Sequence, residues 1–442
     1  VSYGYLTLAE AQTELAGRLG DPKSIFWTTA ELTLCIREAL RYWNATTMAW
    51  KTRFTFNTTT DESWYDLTAG IVTPIPFDVT DSEVLSFLLY NLIEPQLSGG
   101  NYVGTDMFSL DDFTQAMQRR RDQFLLETGM VTSQSVISLP PPPQNRVTLA
   151  DTVIDVKRMA FIDDNGVYST LWRTDEWAAQ AFQNNWNLKP QTPNGFSIAA
   201  VAPLVLSIIP PPSVHGTAEL VTVNSGAALN PAAGVSLGIP DDFAWVVRMG
   251  ALADLLNRDG QARDAKRAEY AQARWTEGIA LAKIFNSVVN AYINGVQVVP
   301  QSVRSFSTYR AGWQNEAPGA PNAIGVMSWN LVAIASQPDA GPYSLLFDLV
   351  QNAPVPVIAG DFLQVGREDL DVILDYAQHL ASFKSGGDEF MDTVPLYQNT
   401  VGAAKARNDR LRLEIPFYDS LSDRATRQAA EADEGQVKQT AA

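Results

Sequence analysis

The sequence predicts an α+β fold: a mainly α-helical bundle core with β-rich inserted modules and a flexible C-terminal tail. Three observations carry this. Residues 239–285 read as two helices joined by a turn at Asp259 and Gly260. The same spacing returns 127 positions later, in residues 366–411, placing Asp242 on Asp369, Gly260 on Gly387 and Tyr270 on Tyr397. Beyond the proline run at 140–143 the pattern changes from helical periodicity to short alternating strands.

Taken in order, the chain opens on a helix. Thr7 and Glu10 have capping-box spacing, and Leu8, Ala11, Leu15 and Leu19 share the face behind them. Gly20, Asp21 and Pro22 end it. Thr28 and Glu31 open a second helix, with Leu32, Cys35, Ile36, Ala39, Leu40 and Trp43 toward the core. Residues 51–56 and 63–67 alternate like a short strand pair. Thr80 and Glu83 open a third helix over Val84, Phe87, Leu88 and Leu92, stopped by Pro95. A fourth covers 110–127 with Leu110, Phe113, Met117 and Phe124 as its stripe. It carries Arg119, Arg120 and Arg121, the most basic spot in the first half, read as a solvated face ahead of a phosphate or partner contact.

The proline run reads as a stiff spacer. Strands are expected at 147–149, 153–162 and 167–171, with Asp163, Asp164, Asn165 and Gly166 as a hairpin turn. These four lack the spacing of a calcium loop. A short helix runs from Thr174 to Phe182, and strands follow at 196–200, 204–209 and 218–223.

In the central unit, Pro240 with Asp241 and Asp242 suits a helix start, because carboxylates there oppose the helix dipole. Phe243, Val246, Val247 and Gly250 form one apolar stripe, and Trp245, Met249, Leu252 and Leu256 a second, so this helix is expected between layers. On its partner, Ala265, Ala268, Trp275, Ile279 and Ala282 share a face on which another helix packs closely. Residues 286–321 read as extended linker, and 326–336 and 343–350 as strands. In the second unit Pro395 falls where the repeat calls for mid-helix, where proline is disfavoured. Residues 410–417 alternate and read as a strand that adds to a neighbour. The last twenty have almost no large apolar side chain and are expected to be flexible. The units are therefore 1–139, 140–238, 239–289, 290–365, 366–422 and 423–442.

Composition narrows the function. A net charge of −17 argues against tight sequence-specific nucleic-acid binding, which needs a basic footprint. It suits an acidic wall past which DNA slides. Cys35 is the one cysteine, so no intrachain disulfide forms. No run approaches 18 apolar residues, so no membrane helix is expected. The opening residues lack a basic region followed by an apolar core, so no signal peptide is expected. The histidines are His215, read as a surface residue, and His379, read as structural. None of the common zinc, thiol-redox, nucleophile-elbow or phosphate-loop motifs occurs, and Gly99 and Gly100 are a lone doublet. No catalysis, cofactor or metal is expected.

The opening LTLAEAQTELAGRLGDPKSIFWTTAELTLCIREALRYWNA resembles the start of tailed-bacteriophage head-to-tail connector proteins (portal adaptors, or neck proteins). IPDDFAWVVRMGALADLLNRDG and LDVILDYAQHLASFKSGGDEF resemble their later helices, so the resemblance covers about half the chain in three blocks. It implies a structural virion protein at the neck, assembled in the host cytoplasm. It further implies a homo-oligomeric ring, commonly dodecameric, between the portal protein and a tail tube or nozzle protein, continuing the channel for genomic DNA. Candidate partner-contact residues are Arg119, Arg120, Arg121, Arg410, Arg412, Phe417 and Tyr418. Two alternatives from other classes are a tail-fibre or capsid-attached protein that binds a host surface, expected to show β modules with exposed aromatic patches, and a carboxylate-dependent enzyme.

Overall fold

A computed structural model describes residues 5–68, 77–96, 107–182, 185–199, 204–260, 262–285 and 287–414, with backbone alone at 182 and 410–414. The α+β class holds. The helices are α1 (Leu8–Arg18), α2 (Thr29–Thr47), α3 (Asp81–Leu92), α4 (Leu110–Thr128), α5 (Glu176–Phe182), α6 (Ala244–Leu256), α7 (Ala265–Ile284), α8 (Val303–Tyr309), α9 (Arg367–Ser382), α10 (Gly387–Met391) and α11 (Val394–Glu414). The strands are β1 (Lys51–Asn57), β2 (Trp64–Asp66), β3 (Ser133–Ser138), β4 (Arg146–Thr148), β5 (Val153–Asp163), β6 (Tyr168–Arg173), β7 (Gly195–Ile198), β8 (Val205–Ile209), β9 (Gly216–Asn224), β10 (Val288–Ile293), β11 (Val296–Val298), β12 (Gln301–Ser302), β13 (Ala323–Val326), β14 (Leu331–Ala335) and β15 (Ser344–Val350).

Local chemistry sets the helix starts. Thr7 Oγ1 accepts from the Glu10 N–H, and the Glu10 carboxylate accepts in return from the Thr7 N–H at 2.8 Å. Ser109 and Asp112 repeat the device on α4, while Thr28 and Thr80 cap α2 and α3. The Asp21 carboxylate accepts from the backbone N–H groups of Ile25, Phe26 and Trp27, fixing the α1–α2 connection.

The helical body is built on two hubs. All but one residue of α6 are buried, and it packs on α3, α4 and α7. The second hub, α2, packs on α1, α9 and α11. Close approach of α6 and α7 depends on Gly250 and Gly278: a Cβ at Gly278 would lie 2.4 Å from Val246, and one at Gly250 2.6 Å from Trp275. On α7 the buried face runs through Ala268, Ala271, Arg274, Trp275, Gly278, Ile279 and Ala282; Ala265, expected there, is exposed in the first turn.

Among the described residues the rest of the fold is three sheets, ordered β1-β15-β10-β11, β12-β13-β14-β2 and β3-β9-β5-β6-β7-β8-β4. The first two rest on the helical body and the third forms a module with its own apolar core. Several expectations are corrected. The strands at 51–57 and 64–66 exist but do not pair with each other: β1 pairs with β15 and β2 with β14. Their true partners lie more than 260 residues away, beyond the reach of local pattern. The expected linker 286–321 contains β10, which pairs on both sides, because Val288, Ala291 and Ile293 fill the core behind the sheet. The proline run is not a spacer between units. It connects β3 to β4 within one sheet and makes a turn closed by the Gln144 N–H to the Pro141 carbonyl at 3.0 Å.

The repeated unit forms two helix pairs, α6 with α7 and α9 with α11. Gly260 and Gly387 both take positive φ, +139° and +58°. Pro395 falls in the first turn of α11, where proline is tolerated, because the short α10 takes up the preceding residues. Residues 410–414 continue α11 as helix rather than starting a strand, since they extend an established helix. Residues 69–76, 97–106 and 415–442 lie outside the described residues, and with them Gly99, Gly100, Phe417, Tyr418 and the C-terminal tail.

Candidate interaction surfaces and buried polar centres

The basic triplet on α4 divides by burial. Arg121 is fully buried. Its guanidinium donates to the carbonyls of Ala227 (2.6 Å) and Gly226 (3.1 Å) and pairs with Asp122 at 2.9 Å, so it anchors the chain after β9 and is no solvated residue. Arg120 grips Asp254 of α6 through Nε (2.9 Å) and Nη2 (2.5 Å), with its guanidinium 5.0 Å from the Trp275 ring. Arg119 is the exposed member, also bound to Asp254, at 2.6 Å. Burial alone would push the Asp254 carboxyl up; hydrogen bonds and charge from Arg120 and Arg119 outweigh it and hold it below the ordinary carboxylate range. Arg119 lines a shallow depression of 320 Å³ with Arg258, itself paired with Asp112 at 2.6 Å. Arg410 and Arg412 fall on the last turns of α11, their side chains outside the described residues.

The most connected polar centre was not legible from the sequence. Arg274 of α7 is fully buried, with its guanidinium within 6 Å of the rings of Tyr42, Trp245, Tyr376 and Tyr397, from α2, α6, α9 and α11. It donates to the Tyr376 hydroxyl at 2.7 Å, to the Tyr397 hydroxyl and to Glu277. Tyr397 donates onward to Glu277 at 2.6 Å, and Tyr42 at 3.2 Å. Burial raises the hydroxyl pKa of Tyr42, Tyr376 and Tyr397, so the ring of phenols stays neutral around one cation. Its one carboxylate partner, Glu277, is 40% exposed at the side chain.

His379 adjoins this centre. Its ring stacks on Phe390 and Tyr397. The Thr393 hydroxyl donates to the Phe390 carbonyl at 2.6 Å, so it can only accept from His379. That assigns the proton to Nδ1, which donates to Thr393 at 2.8 Å, and leaves Nε2 to accept from the Tyr270 hydroxyl at 2.6 Å. Burial, and then the Arg274 charge, push its pKa down to about 3. Both ring nitrogens are engaged, so His379 is a structural link between α7, α9 and α10. His215 is half-exposed, 3.5 Å from Asp164.

Buried charge recurs elsewhere. Arg248 of α6 pairs through Nε with Glu38 of α2 at 2.8 Å and donates to Asn91 of α3 at 2.5 Å. Lys384 bonds Glu31 at 3.0 Å and the Phe26 carbonyl at 2.6 Å. Asp242 accepts from Asn44 (2.5 Å) and the Ala353 N–H (3.0 Å), and Asp241 from the Asp78 and Val79 N–H groups (2.9 Å). Desolvation raises the Asp241 pKa to about 6, and those of Asp242 and Glu31 to about 7. Asp241 and Asp242 each hold distant backbone or side-chain groups by two bonds, and Glu31 holds Lys384 by one. Among the described residues no His, Cys, Asp and Glu group is arranged to hold a metal, and no helix is long and apolar enough to cross a membrane.

The junction with the β module holds a second caged arginine. Arg158 of β5 pairs with Glu219 of β9 at 2.5 Å, and Gln314 bonds both. Its guanidinium lies 5.4 Å from the Trp64 ring and 5.8 Å from that of Trp313.

Large apolar side chains are exposed in separate places. Tyr5, Val357, Ile358 and Phe362 belong to two segments joined by a Thr7–Phe362 bridge and by the Leu8 N–H to the Asp361 carbonyl at 2.8 Å. Val296 and Val299 lie on and beside β11, the edge strand of its sheet. Trp172 and Trp177 stand out from the β module. No protein-family model matches this chain, and no curated protein matches it.

Proposed function

We propose that this chain is a structural virion protein, a head-to-tail adaptor whose copies form a ring between portal and tail and continue the DNA channel. The observation that supports this best is the placing of exposed apolar side chains on separate parts of the chain: Tyr5, Val357, Ile358 and Phe362 beside α1, and Val296 and Val299 at a sheet edge. A ring subunit needs distinct contact faces for its two neighbours, and exposed apolar groups of this kind mark contact surfaces. The charge of −17 per copy supports a channel that repels phosphate and lets DNA pass. Native mass spectrometry tests the reading. A closed ring is expected, with Ile358→Asp and Phe362→Asp each shifting it toward monomer at unchanged melting temperature. A chain that stays monomeric at every concentration, or a ring indifferent to both substitutions, overturns it.

The exposed tryptophans of the β module favour a second reading, a capsid-attached or tail-fibre protein that binds a host surface. It predicts monomers or trimers in the same measurement.

A further inference from the structure

The β module carries a feature that neither helix packing nor ring closure uses. An open depression of 600 Å³ is lined by Arg146, Glu176, Trp177, Gln180, Trp186 and Asn187, with Asn145 at its side. That volume lies in the range of small-ligand sites. Trp177 is 86% exposed, although it lies on a short helix whose Ala179 is buried. Trp186 is the opposite, buried at the base with Ala179 and Ile209, and this small cluster fastens α5 to β8.

The polar groups around the exposed ring are held in place. Arg146 of β4 donates to both oxygens of Glu176 at 3.1 Å. The Ser207 hydroxyl of β8 donates to the same carboxylate at 2.9 Å. Asn145 donates to the Ile208 carbonyl at 3.1 Å. Two strands and a helix thus fix a guanidinium, a carboxylate and an amide in the depression that Trp177 also lines.

We infer that this depression is a binding site for a neutral pyranose oligosaccharide, with Trp177 as the stacking platform. A pyranose ring has an apolar C–H face, which a flat indole covers. Its rim carries adjacent hydroxyls that both donate and accept. Planar groups with paired atoms, such as Glu176, Arg146 and Asn187, match two neighbouring hydroxyls at once. A protein partner would call for an apolar centre with a polar rim. Here the polar side chains outnumber the apolar ones within the depression itself. The site is distinct from the surfaces proposed for ring contacts and does not depend on which functional reading is right.

Isothermal titration of the full chain with maltotriose, cellotriose and chitotriose tests the inference. Saturable heat is expected with at least one trisaccharide, weakened at least about tenfold by Trp177→Ala. Glu176→Gln is expected to weaken it less, since it keeps the shape and removes a charge. Trp172→Ala serves as the control: it is exposed in the same module but outside the depression, and binding is expected to survive it. Absence of heat from all three sugars at millimolar concentration overturns the inference, as does binding that Trp177→Ala leaves unchanged. If Trp177→Ala changes the assembly state while no sugar binds, the platform is a subunit contact and the inference is equally overturned.

Discussion

Arg274 in the helical body and Arg158 at the root of the β module are both buried guanidiniums caged by aromatic rings, yet they are balanced differently. Arg274 is surrounded by four aromatic rings and three tyrosine or glutamate acceptors, and its carboxylate partner is 40% exposed. Arg158 has two tryptophans and a carboxylate, Glu219, whose side chain is only 4% exposed. The first cation is stabilised mainly by neutral phenols and ring faces, with its counter-charge reaching water. The second forms a closed ion pair shared with Gln314. A buried charge costs several kcal/mol unless it is paired, so the two centres should respond differently to loss of the arginine.

The largest expected effect is at the closed pair. Arg158→Met strands Glu219 in the interior and should cost about 3–5 kcal/mol in denaturant unfolding. The double variant Arg158→Met with Glu219→Leu should recover most of that loss, because no charge is then left buried. An additive double variant would show that Arg158 and Glu219 are not energetically coupled and would contradict the closed pair.

Arg274→Met should cost less, about 1–3 kcal/mol, since Glu277 turns to solvent and keeps the Tyr397 hydroxyl as a donor. A loss equal to that of Arg158→Met would break the comparison.

Acid sharpens it further. The His379 pKa is about 3 when folded, below the ordinary 6.5, so its contribution is complete above pH 6.5 and is lost as pH falls toward 3. Glu31 and Asp242, near 7 when folded, have the opposite sign: their contribution is complete below pH 4 and is lost as pH rises through 7. His379→Gln should therefore improve stability at pH 5 relative to pH 8 by about 1–2 kcal/mol, read from melting curves at both values. Glu31→Gln, which acts in a group still paired with Lys384, should flatten the curve by about 1 kcal/mol or less between pH 5 and 8. Parallel pH profiles for His379→Gln and the parent chain would show that this histidine does not titrate with unfolding.

What the sequence made legible follows from the range of the interactions. The helix starts at Thr7, Thr28 and Thr80 are chemistry within four residues, and each is where the spacing puts it. The two apolar stripes of α6 anticipated burial on all sides because a helix repeats its faces locally. The hairpin at Asp163 is equally local: its carboxylate accepts from the Asn165 and Val167 N–H groups.

The caged arginines and the strand partners escaped for the converse reason. Arg274 meets Tyr42 from near the start of the chain and Tyr376 from 102 residues on, so nothing near it in sequence distinguishes it from Arg263 and Arg267 just before it. The one available signal was the repeat, which places Tyr270 on Tyr397, and both tyrosines reach the Arg274–His379 centre. Among the candidate contact residues, Arg120 and Arg121 proved to be internal anchors because Asp254 and the Gly226 and Ala227 carbonyls come from distant elements. The depression at Trp177 was equally hidden, since its walls come from β4, α5 and the residues after it.

Electron microscopy of the purified full chain bears most directly on the proposed role. An adaptor that encircles DNA gives closed rings of identical subunits with an open axial channel, and these rings should admit duplex DNA without retaining it at physiological salt. Isolated single subunits in every field, or a ring with no axial opening, would contradict that role.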